Sequence, residues 1–137
     1  MSRQMARIHA ATLFLVSCGT GPEEETVPVA PDRVTTRDGL YVLHLDAVPQ
    51  PYVAGSESAL TILVTADDVP VEDVQIDVEP WMPDHGHGIS PGPVVGPAVE
   101  GELLATWVFS MPGDWHLTLT VDGSDGQDEA KVAYVVQ

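Results

Sequence analysis

Two short segments concentrate the donor atoms of this chain. The first is Trp81-Met82-Pro83-Asp84-His85-Gly86-His87-Gly88, and the second is Phe109-Ser110-Met111-Pro112-Gly113-Asp114-Trp115-His116. Between them they hold three of the five histidines and two of the four methionines. Imidazole and thioether together suit copper, whereas carboxylate and carbonyl oxygens suit harder ions. Met82, His85, His87 and Met111 form the candidate ligand set, with His116 as a fifth candidate. Cu(I) is satisfied by a few soft donors, so it fits this set best. Cu(II) would lean on the imidazoles and could recruit Asp84 or Asp114. Zinc could use His85, His87 and His116 with a carboxylate, but that set leaves both methionines idle.

The spacing gives these residue types a geometric reason. His85 and His87 are separated by one glycine, and in extended backbone i and i+2 project to one side. Gly86 and Gly88 leave room for an incoming ion and permit unusual backbone angles. Pro83 and Pro112 each follow a methionine and restrict its backbone. A plainer reading stands beside the metal one. Met82 and Met111 would then be gap-filling core residues, and His-Gly-His-Gly an exposed loop.

Elements of strand period must position these segments. Tyr41, Leu43 and Leu45 alternate with Val42, His44 and Asp46, and Leu60, Ile62 and Val64 with Thr61, Leu63 and Thr65. The same alternation runs through Val74, Ile76 and Val78, and through Ala105, Trp107 and Phe109. It recurs in Trp115, Leu117, Leu119 and Val121, and finally in Val132, Tyr134 and Val136. Turn-rich Gly, Pro, Asp and Ser clusters separate these runs, notably over 53–58 and 122–128. The pattern predicts an all-β fold, an immunoglobulin-like antiparallel β-sandwich of about seven strands over residues 35–137. Trp107 and Trp115 are expected in its core, and Trp81 and Trp115 beneath the donor residues. If Trp115, Leu117 and Leu119 face inward, His116 faces outward. His44 likewise falls on an outward set and reads as solvated.

The N-terminal residues have a different character. Arg3 and Arg7 precede an apolar run, Ile8 to Val16, too short to span a bilayer as a helix. Leu15-Val16-Ser17-Cys18-Gly19 follows. This order resembles a bacterial lipoprotein signal. The resemblance implies a signal peptide over 1–17 and Cys18 as the lipidated first mature residue. His9 would be lost with the signal. Cys18 is the single cysteine, so no disulfide can form within the chain, and an acyl anchor accounts for the lone thiol. A plain secretory signal with an incidental cysteine is the alternative. Residues 18–34 are acidic and proline-bearing without hydrophobic periodicity, and read as a flexible tether. The expected location is the bacterial cell envelope, with the membrane reached only through the lipid on Cys18. Gly19 after the cysteine, by resemblance to lipoprotein sorting, favours the outer membrane facing the periplasm.

Charge excludes one class of partner. The chain has 5 Lys+Arg against 21 Asp+Glu, a formal net charge of −16. Nucleic acid backbones require clustered cations, so they are not expected partners. An acidic field concentrates cations without selecting one.

With the residues set out, Trp-Met-Pro-x-His-Gly-His-Gly followed by Phe-Ser-Met-Pro-Gly-Asp-Trp-x-Leu resembles the YtkA-like/FixH-like domain family. The resemblance runs from about Val74 to Val121 and is strongest at Met82, His85, Gly86, His87, Phe109, Met111, Gly113 and Trp115. It implies a small exported or membrane-tethered β-sandwich. Some relatives are associated with copper handling and the assembly of haem–copper oxidases. The chain departs from the oxidase-associated members in lacking a transmembrane helix.

Two functions are expected from these features. One is an exported copper-binding protein that holds or delivers the ion by ligand exchange. The other is an interaction or structural module of an envelope complex, in which Trp81-Met82 and the loop from Pro91 to Pro97 dock a partner protein. An enzyme is not expected, since no serine sits in a nucleophile elbow and no carboxylate pair has the placement acid–base catalysis needs.

Overall fold

A computed structural model describes residues 26–97 and 99–137. Cys18, the signal peptide and most of the expected tether therefore lie outside the described residues. None of the described residues is helical, and ten strand segments form two antiparallel sheets.

The first sheet contains β1 (Arg33–Thr35), β2 (Val42–Val48), β3 (Glu57–Ala66), β8 (Glu102–Val108) and β7 (Val94–Val95), hydrogen-bonded in that order. β4 (Val69–Pro70) folds back on the end of β3. Asp67 and Asp68 form that turn with φ of 50° and 62°, the left-handed pair a tight hairpin requires and Asp tolerates. The second sheet has the order β10 (Gly126–Val136), β9 (Gly113–Gly123), β5 (Gln75–Met82) and β6 (His87–Gly88). The architecture is the immunoglobulin-like β-sandwich that the alternation predicts.

The six alternating runs fall in β2, β3, β5, β8, β9 and β10 with the inward phase read from the sequence. Leu43, Leu45, Leu60, Ile62 and Val64 meet Ile76, Val78, Leu117, Leu119 and Val132 between the sheets, all buried. Alternation is legible because each strand has one face on this core and one toward water. The short segments β1, β4, β6 and β7 have too few residues to display a period.

The domain boundary lies earlier than the sequence suggests. Val29 bridges Ala133 of β10 in parallel, with Ala133 N donating to Pro28 O at 2.8 Å and Ala30 N to Ala133 O at 2.7 Å. Arg33–Thr35 then pair with β2 in the other sheet. Residues 28–35, expected largely in the tether, thus strap one sheet to the other. Their hydrogen bonds cover part of the edge of β10, a strand long enough to pair with another chain if left open.

A buried carboxylate holds the turn between β1 and β2 that follows the strap. Asp128 accepts from the backbone N–H of Asp38 (3.0 Å), Leu40 (3.2 Å) and Glu129 (2.9 Å). Burial raises its pKa, and these bonds with the nearby Thr36 hydroxyl outweigh that, so the net shift is downward. Thr36 has one proton to give and two acceptors in reach, Asp128 and the Tyr41 carbonyl at 3.1 Å.

Candidate metal centre

The two donor segments meet at one end of the sandwich. The first is the β5–β6 hairpin. Pro83, Asp84, His85 and Gly86 form its loop, closed by Gly86 N donating to Met82 O at 2.8 Å. Gly86 takes φ of 66°, which explains the glycine there. His85 therefore sits in a turn, not in extended backbone, and the expected i, i+2 strand geometry does not apply. The turn still leaves the two imidazoles close, with ring centroids 5.8 Å apart.

Met82 and His87 are direct cross-strand partners, so both project to the same face, the core side. Met82 is 2 % exposed and belongs to the core. His87 is half-buried and meets Trp115 edge to face, centroids 5.7 Å apart at 73°. The His87 Nδ1 lies 2.9 Å from Gly88 O. A carbonyl can only accept, so Nδ1 is the donor in this contact, which leaves Nε2 as the nitrogen that could ligate an ion. An outer hydrogen bond that fixes the tautomer is the usual support of a ligating histidine.

The second segment is the turn from β8 into β9. Trp115 is fully buried, and its indole N–H donates to the Met111 carbonyl at 3.0 Å. That bond ties the methionine turn to the ring that supports His87. Met111 packs half-buried against the core. Gly113 completes the junction. A Cβ built there would stand 2.7 Å from Met82 Cε, so the missing side chain is the space the Met82 methyl fills. Met82, His87 and the Met111 backbone thereby meet around Trp115 and Gly113, with the His85 ring beside that of His87.

His116 is placed differently. It pairs with Trp81 across β5 and β9, and both point away from the core, opposite to Met82. Trp81 is 44 % exposed and does not lie beneath the donors as expected; Trp115 alone has that position. The zinc set is not assembled either. Among the described residues no three His, Cys, Asp or Glu side chains are grouped so that they could hold an ion. His44 stands partly exposed, 3.4 Å from Thr65 Oγ1, far along the other sheet.

The sequence did not single out Gly113 as a partner of Met82, or the Gly88 carbonyl as the orienting acceptor. The glycine following Pro112 was the available signal for the first. The second depends on a backbone oxygen that every residue carries.

The residues present fit a soft ion. Two imidazoles that share one ion at about 2.0 Å have ring centres roughly 5–6 Å apart, close to the His85–His87 spacing. The two methionines would add thioether donors of the kind that suits Cu(I).

Comparison with known proteins gives three findings. A family model described as YtkA-like matches residues 41–120. No curated protein matches the chain. Among solved structures, the Lin-41 filamin domain is similar at a TM-score of 0.44 and 13% identity, covering 68% of this chain and 91% of that one.

Proposed function

Since this chain belongs to the YtkA-like family, we propose that it is a lipid-anchored protein of the bacterial envelope that holds copper and passes it to a partner. Family membership is consistent with an envelope-associated domain. Lipidation at Cys18, the outer-membrane location facing the periplasm, and a partner protein in the envelope are parts of this reading. The observation that supports the metal most directly is the His87 ring. Its Nδ1–H is held by Gly88 O, its free nitrogen belongs to a ring 5.8 Å from His85, and Met82 is its cross-strand partner.

The donors would be Met82, His85, His87 and Met111. His116 is left out because it occupies the other face of the sheet. A bound copper ion would supply a centre whose soft ligands can be exchanged one at a time. The chain's own part is to orient the donors. The Gly88 carbonyl selects the His87 tautomer, and Trp115 fixes both the His87 ring and the Met111 turn. Exposed His85 is the donor a recipient protein can displace first, while buried Met82 is the one least open to competition. No covalent step is required, so the reading is of a binding protein and not an enzyme.

The test is titration of the purified protein with Cu(I) against a competing chelator, repeated with Zn(II). One-to-one Cu(I) binding is expected, weakened at least tenfold by His87→Ala and unchanged by His116→Ala. Equal loss in both variants, or no Cu(I) binding at micromolar concentration, would reject the site.

A further inference from the structure

The outer face of β5 carries a second feature, separate from the donor end. Asp77, Glu79 and Trp81 project outward from alternate positions of the strand, all exposed. The chain leaving β6 passes beside them through Ile89 and Pro93 before crossing to the other sheet. Strand and loop enclose a cleft of about 300 Å³ whose walls include Asp77, Glu79, Trp81, Gly88, Ile89 and Pro93. The cross-strand neighbour of Trp81 on the β6 side is Gly88. A Cβ there would lie 3.9 Å from the Trp81 ring and 3.0 Å from Pro80 O. Glycine therefore lets β6 pair closely and puts no side chain over the indole.

An exposed indole has a use that burial would serve better if the use were packing. Here it stands at the head of a cleft beside two carboxylates. The one ion pair among the described residues joins Arg37 to Glu129 at 2.6 Å, so among those residues neither Asp77 nor Glu79 is ion-paired; Lys131 stands in the row of Glu79 one strand beyond Thr118. Their row neighbours on β9 are Thr120 and Thr118, which do not neutralise them. An indole face, a proline ring and two carboxylates are complementary to one side chain above others. Arginine offers a flat cation that stacks on indole and forks onto a carboxylate. Lysine supplies the charge without the plane. The net charge of −16 would draw a basic segment toward the domain, and the cleft would orient it.

We infer that the cleft between β5 and the 89–93 loop docks an arginine side chain presented by a basic segment of a partner protein, with Trp81 as the stacking surface and Asp77 and Glu79 as the counter-charges. This inference does not depend on copper, because no residue of the cleft belongs to the proposed donor set.

The probe is a capped Gly-Arg hexapeptide with three arginines, titrated into the protein under a metal chelator. The readout is the Trp81 indole N–H resonance, assigned by its absence from Trp81→Leu. Saturable movement of that resonance is expected, with binding weakened at least fivefold by Glu79→Gln; for Trp81→Leu, which has no such resonance, the same loss is read by isothermal titration calorimetry. Asp67→Asn with Asp68→Asn, on the distant β3–β4 turn, should leave it unchanged. A citrulline peptide should not bind. Three results would overturn the assignment: no movement of the resonance, equal weakening by the distant Asp pair (a diffuse attraction to an acidic protein), or equal binding of the same peptide with lysine in place of each arginine. Trp81 and Glu79 are exposed, so the variants should fold. Glu79→Gln, which keeps side-chain size, covers the case in which Trp81→Leu does not.

Discussion

Trp115 joins the two donor segments through two contacts of different kinds. Its ring and that of His87 meet edge to face with centroids 5.7 Å apart, and its N–H donates to the Met111 carbonyl at 3.0 Å. One buried residue thus contacts an imidazole on β6 and holds the backbone of the methionine turn before β9. The aromatic contacts continue inward through Phe109, at 5.1 Å, to Tyr52, at 5.4 Å. The donor end therefore rests on a packed aromatic layer, whose stiffness limits how far its donors can drift.

Trp115→Phe tests that arrangement. The substitution keeps an aromatic ring but removes the donor to Met111 and leaves a small void. A loss of about 1–3 kcal/mol of stability is expected, read from urea denaturation. Cu(I) affinity should fall as well, because the Met111 turn loses its tie. Unchanged affinity in a folded Trp115→Phe variant would show that this bond does not organise the site.

Gly113→Ala tests the contact between the segments. The position has φ of 135°, and the new methyl would stand 2.7 Å from Met82 Cε. The thioether can swing away at modest cost, whereas the backbone angle cannot be relieved so easily. About 1–3 kcal/mol of destabilisation is expected. Cu(I) binding should weaken beyond what a stability-matched variant in the strap shows, since the displaced group is a proposed ligand.

Asp128 governs the response to acid. Its folded pKa lies below its ordinary value because backbone N–H donors outweigh its burial. The ionised form is therefore favoured by folding. Its stabilisation is fully present above the unfolded carboxylate pKa of about 3.9 and fades as pH falls below it. Asp128→Asn should cost about 1–3 kcal/mol near neutral pH. The gap between wild type and variant should narrow on acidification from pH 6 to pH 3, measured by urea midpoints. A constant gap would mean that the carboxylate charge contributes nothing to holding Asp38 and Leu40.

The strands that carry the core were legible because burial imposes a period of two on long segments. Ile76, Val78, Pro80 and Met82 in β5 are buried at alternate positions without a break. β6 was hidden, since a two-residue strand has no period, and its pairing is set by the loop that Gly86 closes. Residues 28–35 were hidden for another reason. Their proline and charge content reads as a linker, yet their backbone groups bond to β10 and β2 whatever their side chains. The same limit placed Trp81 wrongly. Composition puts a tryptophan inside, but its phase relative to Met82 put it outside.

Taken alone, the amino-acid sequence determined the all-β class, the inward set of each long strand, the acidic surface and the two segments rich in imidazole and thioether. Strand phase also settled that His116 leaves the face Trp115 enters. Only the tertiary structure decided which donors share a neighbourhood. The pairing of Met82 with His87, the filling of the Gly113 gap by Met82, and the position of Trp115 between His87 and Met111 are contacts across hairpins and between turns. Such contacts depend on register and loop closure, which are properties of the folded chain and have no spacing in the sequence from which to read them.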